Sequence, residues 1–440
     1  LAPVMKAIHL GQIIDGLHIY QILQTLLTAK NIRSCITTSS DQTLALEKKL
    51  ALLNPLPRLI DELQKTINHD GELLDSASTQ LAMIRSKKKQ LSKNIQTKIQ
   101  DILHRSPTTK PYLQDDFFTI RNEKFVIPIT LDGHGRVAGT VIDTSASGQT
   151  IFIEPKEIMT ANEEIRNLSI DEKIEIARLL KNMTQKIKNN LSTIEVTYRE
   201  IIYLDQLVSE AIFCTSLKAQ PVEIMDEPTL FLQNARHPLL ALEGNAVGNN
   251  ICLEKDQYSL VISGPNAGGK TVALKTAGIL HKMLDFGLLL PVAANSRMYL
   301  FDNVFVDIGD MQNLSNPLSS FAAHIELMKE ITTRATKSDL VLIDEIASRT
   351  DPETGAAIAQ GILEFLVEKK VTTVVSTHYD SLKLLASNSK FFRNGSMEFS
   401  GKKHTPTYKL ILDIPGQSFG LEMSIAAGMA PQIIKRAKIL

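Results

Sequence analysis

The sequence predicts a multi-domain chain. An α-helical first half carrying a small β-containing region is followed by an α/β domain on a mostly parallel sheet. Three observations predict it. In two long stretches of the first half, apolar residues recur every seven positions. Between them, about residues 116–157 have strand-like patterns. From about residue 220, apolar runs of strand length alternate with helical ones, and a glycine-rich loop interrupts one pair.

A length of 440 residues allows two or three domains. The expected segments are a helical core at 1–65, long helices with the β island at 66–219, and the α/β domain with a closing helical segment at 220–440. Lys+Arg and Asp+Glu both number 48, which argues against nucleic-acid binding by global charge. A hydrophobic content of 43% with 22% charged residues excludes general disorder. Cys35, Cys214 and Cys252 form no CxxC or Cys/His spacing, so a reducing, cytoplasmic setting is expected. No apolar run reaches the roughly 18 residues of a membrane span, and no signal peptide pattern opens the chain. Leu1 in place of an initiator Met reads as an internal start.

Residues 1–65 read as short helices, broken at Asn54-Pro55-Leu56-Pro57. Leu74, Leu81, Lys88, Ile95 and Ile102 form a first heptad seam, with Ala77, Ile84 and Leu91 at the +3 positions. A second runs through Leu180, Ile187, Ile194, Ile201 and Val208, with Leu191, Tyr198 and Ile212 at +4. Two such seams predict two antiparallel helices packed on each other. The first stretch is also basic: Arg85, Lys87, Lys88, Lys89, Lys93, Lys98, Arg105 and Lys110 face Asp101 alone. A solvated helix face and a phosphate-backbone contact surface both fit that pattern. In the island, Phe125 to Ile129, Val137 to Ile142 and Thr150 to Ile153 read as strands, with hairpin-turn chemistry at Asp132-Gly133-His134-Gly135.

The α/β half carries three chemical elements. Gly264-Pro265-Asn266-Ala267-Gly268-Gly269-Lys270-Thr271 matches G-x-x-x-x-G-K-[ST] between a strand at 258–263 and a helix from Val272. Such a loop lets backbone N–H groups close around phosphates at a helix N-terminus. Lys270 is expected to reach the β- and γ-phosphates and Thr271 to ligate Mg2+. Leu340-Val341-Leu342-Ile343 then delivers Asp344 and Glu345 to a strand end, 74 residues after Lys270 in the case of Asp344. Asp344 is the second candidate for Mg2+, and Glu345 the general base for the attacking water. Val371 to Thr377 is a third buried-type strand, and it places His378 where a γ-phosphate contact is possible.

Gly-Pro-Asn-x-Gly-Gly-Lys-[ST], Asp-Glu-Ile and Ser-Thr-His together resemble the MutS family of ABC-type ATPases. Ala235-Arg236-His237-Pro238 is similar to the opening of that family's nucleotide domain, and Ser319-Ser320-Phe321 to its Ser-Thr-Phe signature. Within the family the chain resembles the MutS-two branch, which lacks the mismatch-reading domain. The matches are Asp70 to Ser78, Lys124 to Pro128, Ser145 to Pro155 and Thr350-Asp351-Pro352, with Ile414 to Gly420 resembling the closing segment. The chain departs from the branch at Ile346-Ala347-Ser348-Arg349, where small glycine-rich residues are usual, and Ser320 replaces the usual Thr. The branch's C-terminal Smr domain has no counterpart before Leu440, so its nuclease activity is not carried over.

The resemblance implies lever arms with a clamp ahead of a P-loop (ABC-type) ATPase domain that uses ATP and Mg2+. It also implies a homodimer with composite sites, in which Ser319 and Ser320 reach the partner's nucleotide. The client it implies is branched or recombining DNA, recognised by shape through Arg85, Lys87, Lys88, Lys89 and Lys93. The ribosome and its rRNA form the alternative client, and no membrane partner is implied.

Overall fold

The computed structural model describes all residues except 37–43, 266–267, 310–316, 349, 401–404, 417–427 and 438–440, and only the backbone at 36, 44–45, 317–323, 431 and 434. They fall into two compact units, Leu1–Gln206 and Leu207–Leu440. Among them, no helix is long and apolar enough to cross a membrane.

The first unit opens with α1 (Ala2–His9), α2 (Gly16–Ile36), α3 (Leu44–Ala51) and α4 (Pro57–Gln64). Helix α5 (Thr79–Arg105) leads to β1 (Thr119–Arg121), β2 (Lys124–Thr130), β3 (Gly139–Thr144) and β4 (Thr150–Pro155). Helix α6 (Met159–Asn189) returns, and α7 (Leu191–Ser216) follows after one non-helical residue, Asn190. The second seam is therefore two helices, parted at an Asn pair whose side chains favour caps over helix interiors.

The seams also pack differently from expectation. Ile95, Ile99 and Leu103 of α5 share a core with Ile158, Ile165 and the sheet residues Ile127, Ile129 and Ile153. Leu81 meets Leu179. The named seam residues Ile187, Leu191 and Ile194 instead close a core with Ile8, Ile19, Ile22 and Leu63 of the first four helices. Residues 1–65 thus share one unit and one core with the helices that follow. Val208 and Ile212, at the seam's far end, are 56% and 66% exposed.

The island is a four-stranded antiparallel sheet in the order β1-β2-β4-β3. The expected hairpin through Asp132 to Gly135 is absent, because β4 lies between β2 and β3. Gly133 is buried in a 3-10 turn, where a Cβ would fall 2.7 Å from Tyr112 Cβ. The hairpins lie elsewhere. Asn122 and Glu123, both at positive φ (48° and 64°), join β1 to β2. That backbone matches the twist of paired strands, but Glu in place of Gly conceals it in the sequence. The second hairpin joins β3 to β4 through Ser145 to Gln149.

The second unit runs β5 (Glu223–Met225), β6 (Leu230–Ala235), α8 (Pro238–Leu242), β7 (Asn249–Cys252), β8 (Ser259–Ser263), α9 (Lys270–Asp285), β9 (Arg297–Tyr299) and β10 (Val304–Asp307). It continues with α10 (Pro317–Arg334), β11 (Leu340–Ile343), α11 (Pro352–Glu368), β12 (Thr372–Thr377), α12 (Asp380–Asn388), β13 (Phe392–Ser400) and β14 (Thr405–Leu412). A short helix, Pro431–Ala437, comes last. The main sheet has the order β10-β11-β12-β8-β13-β14, parallel except for β14. Strands β8, β11 and β12 are buried along their whole length, as a sheet covered by helices on both faces requires. One core, including Leu260, Leu274, Leu342 and Val374, lies under α9. The other, including Val261, Val341, Val375 and Leu363, lies under α10 and α11.

Candidate nucleotide site

Strands β11, β12 and β8 are neighbours in the sheet and run in the same direction. Their C-terminal ends therefore bring Asp344-Glu345, His378 and the loop from Gly264 to one edge of the sheet. A parallel α/β sheet places its ligand sites at this edge.

The loop turns directly from β8 into α9. Gly264 and Gly269 hold φ of 130° and 98°, which L side chains avoid. A Cβ on Gly264 would lie 3.0 Å from Met397 Cβ, so the loop sits closely on β13. The Gly268 N–H donates to Pro265 O at 2.9 Å. Asn266 and Ala267 lie outside the described residues. Lys270 is 1% exposed and donates from Nζ to Gly264 O at 2.7 Å. Burial holds its pKa below the ordinary lysine value, against the pull of Glu345 and Asp344. A buried cation aimed back into a glycine loop is suited to an anion.

Thr271 donates from Oγ1 to Asp344 Oδ2 at 2.6 Å. The Ser376 hydroxyl donates to the other oxygen, Asp344 Oδ1, and accepts the Glu345 N–H at 2.8 Å. The Asp344 N–H donates to Asp307 O at 2.8 Å. A hydroxyl and a carboxylate oxygen converging beside a phosphate loop are the hard donors that Mg2+ prefers, so this donor set fits Mg2+ with a nucleotide. Ser376, absent from the sequence-derived candidates, bonds the Asp344 carboxylate and the Glu345 backbone N–H. Its place in Ser-Thr-His was visible, but its role depends on the register of β12 against β11.

The turn after β11 is strained. Glu345 and Ala347 take φ of 51° and 54° without being glycine. The Ala347 N–H donates to His324 Nε2 at 3.2 Å, and the Tyr379 hydroxyl donates to Ala347 O at 2.8 Å. Gly355 leaves room for this bond, since a Cβ there would fall 2.4 Å from Tyr379 Oη and 2.7 Å from Ala347 O. His378 is exposed at the end of β12, its ring centroid 4.4 Å from that of Tyr379. Ser319 and Ser320 lie near the start of α10, with side chains outside the described residues. Arg349 also lies outside them.

Beside the start of α9 is a cavity of about 240 Å3, lined by His237, Leu240, Val247, Asn249, Val272 and Tyr408 among others. His237 Nδ1 is buried with no hydrogen-bond partner among the described residues. Burial, then Lys275, holds the imidazole pKa below its ordinary value, so it favours the neutral form.

The basic helix is largely committed within its own unit. Arg85 pairs with Asp75 at 2.7 Å and Glu172 at 2.8 Å, Lys88 with Glu172 at 2.8 Å, and Lys87 with Glu164 at 2.6 Å. Burial opposes ionisation of Glu172, but hydrogen bonds from Lys88 and Arg85 outweigh it and lower its pKa. Among the described residues, Lys89, Lys93 and Lys98 make no ion pair. Arg85, Lys87 and Lys88, expected to contact phosphates, thus have acidic partners that lie mostly on α6, far away in sequence.

The strand, glycine loop and helix, with an acidic strand end beside them, define a phosphate-binding-loop nucleotide domain. Residues 260–440 match the family model of MutS domain V. The chain is 38% identical over 382 residues to the Endonuclease MutS2 of Finegoldia magna, covering 87% of this chain and 48% of that protein. It is 36% identical to the Endonuclease MutS2 of Lactobacillus helveticus, covering 100% and 56%, and 36% identical to that of Pelotomaculum thermopropionicum, covering 97% and 54%. The chain belongs to the MutS family and is of the MutS2 type. It spans about half the length of the curated relatives it matches.

Proposed function

We propose that this chain is an Mg2+-dependent ATPase whose nucleotide cycle drives a DNA clamp. The observation that carries this reading is the gathering of Lys270, Thr271, Asp344 and Glu345 at one edge of the parallel sheet, with Thr271 Oγ1 2.6 Å from Asp344. The backbone amides at the start of α9 take the phosphates, and Lys270 Nζ reaches a γ-phosphate oxygen. Thr271 and Asp344 hold Mg2+, which neutralises charge on the phosphates. Glu345 accepts the proton of the attacking water, and His378 contacts the γ-phosphate. The cavity at His237 and Tyr408 takes the base.

Ser319 and Ser320 act on the nucleotide of a partner subunit, so the active form is a homodimer with composite sites. The client is branched DNA, held through its phosphates. Lys89 and Lys93 contribute to that contact, while Arg85, Lys87 and Lys88 hold the helix pair.

The test is ATP turnover per chain against protein concentration, alone and with a four-way DNA junction. Lys270→Ala and Glu345→Gln should each lower turnover at least about 100-fold. Turnover that rises with concentration and responds to the junction is expected. Turnover independent of concentration overturns the composite site. Turnover stimulated by ribosomes and indifferent to DNA overturns the DNA client and moves it to the ribosome.

A further inference from the structure

The turn bearing Glu345 is gripped by a residue from outside the three motif strands. His324 lies on α10, and its side chain is 9% exposed. Its Nε2 accepts the N–H of Ala347, two residues after Glu345. In the neutral ring the proton is therefore on Nδ1. Nδ1 lies 2.6 Å from Asp307 Oδ2, a buried oxygen with no other polar partner among the described residues. Asp307 ends β10, and its carbonyl accepts the N–H of Asp344. One residue thus supports the metal-binding acid through its backbone and the turn of the general base through its side chain. The Asp344–Asp307 backbone bond continues the β10–β11 ladder, whereas the two His324 contacts are additional to that ladder.

We propose that His324, oriented by Asp307, is a positioning residue for ATP hydrolysis. It fixes the Ala347 peptide, holds the turn in its left-handed conformation, and so aims the Glu345 carboxylate. Because His324 belongs to α10, a shift of this helix moves the general base. The helix whose first turn carries Ser319 and Ser320 is thereby linked to hydrolysis in its own subunit. This inference rests on the ATPase reading above. It goes further by assigning a residue that touches no nucleotide and a route by which α10 controls the rate.

The experiment uses the full chain with His324→Leu, His324→Gln, Glu345→Gln and the double variant His324→Leu/Glu345→Gln. Steady-state turnover, binding of a fluorescent ATP analogue, thermal unfolding and amide exchange of the segment containing Ala347 are measured for each. The Gln side chain keeps an acceptor near the position of Nε2, and Leu does not. A displaced carboxylate costs about 10–100-fold in rate. We therefore expect kcat to fall about that much in His324→Leu, with KM and analogue binding within about twofold and most of the rate recovered in His324→Gln. The double variant should be no slower than Glu345→Gln, since both changes act on one group. The Ala347 amide should exchange faster in His324→Leu.

Unchanged kcat in His324→Leu, or a loss that multiplies with that of Glu345→Gln, overturns the proposal. A wild-type chain without turnover would overturn the ATPase reading. In that case unchanged exchange at Ala347 overturns the His324 anchor, and faster exchange upholds it.

Discussion

At Ala347 an L-residue sits in the left-handed region, fully buried. That conformation costs about 1–2 kcal/mol relative to the right-handed one. The Tyr379 hydroxyl and His324 offset the cost by bonding the carbonyl and the N–H. Tyr379→Phe removes one of these bonds and leaves a buried carbonyl unsatisfied, at about 1–3 kcal/mol. Urea unfolding should show a lower midpoint with an unchanged slope; an unchanged midpoint would mean that the bond contributes nothing. Asp344, Glu345 and Lys270 were legible in the sequence because their chemistry is local to a strand end and a glycine loop. The left-handed Ala347, the His324 anchor and the Ser376 bridge were not. Alanine signals no special backbone, and the other two depend on which strands become neighbours.

Among the elements, the α5–α6 pair shows how periodicity informs and misleads. The heptad pattern located α5, but the burial of Ile95, Ile99 and Leu103 follows a period of four residues rather than seven, as a straight helix drifts relative to a heptad. Polar contacts fix its start. Ser78 accepts the Leu81 N–H as N-cap and donates to Glu175 at 2.7 Å. Glu175 is 2% exposed, and bonds from Arg178, then Ser78, against the cost of burial, lower its pKa from 4.5 to about 2. The unfolded chain therefore takes up this proton first as pH falls. The stabilisation is complete above about pH 4.5 and is lost as pH falls toward 2. The difference in unfolding free energy between the wild type and Glu175→Gln should narrow over that interval; a constant difference refutes the assignment. Charge on the same helix divides by partner. Reversing Lys89 and Lys93 should lower the salt slope of junction binding by about 2 with little loss of stability. Reversing Lys88 should destabilise the pair, because Glu172 loses a partner. Equal effects on binding and stability from both changes would refute this division.

At the scale of the whole molecule, the chain has two units with separate cores. Composition and motif order place a change of architecture near residue 220, whereas the compact units divide between Gln206 and Leu207, within α7. The sharing of one core by residues 1–65 and the helices after them was hidden, because an apolar face does not name its partner. The placement of the nucleotide site makes a thermodynamic demand. A ligand that binds only the folded second unit stabilises it by RT ln(1 + [L]/Kd), about 2.7 kcal/mol at a hundredfold excess over Kd. In a domain of this size that corresponds to roughly 5–10 °C. Calorimetry with Mg2+ and a non-hydrolysable ATP analogue should raise the transition of Leu207–Leu440 by this amount. Two variants assign the transitions: Glu175→Gln lowers that of the first unit and Tyr379→Phe that of the second. Lys270→Ala should abolish the nucleotide shift while leaving the transition assigned to Leu1–Gln206 in place. A nucleotide shift that survives Lys270→Ala, or that falls on the transition marked by Glu175→Gln, would put the binding energy somewhere other than the glycine loop.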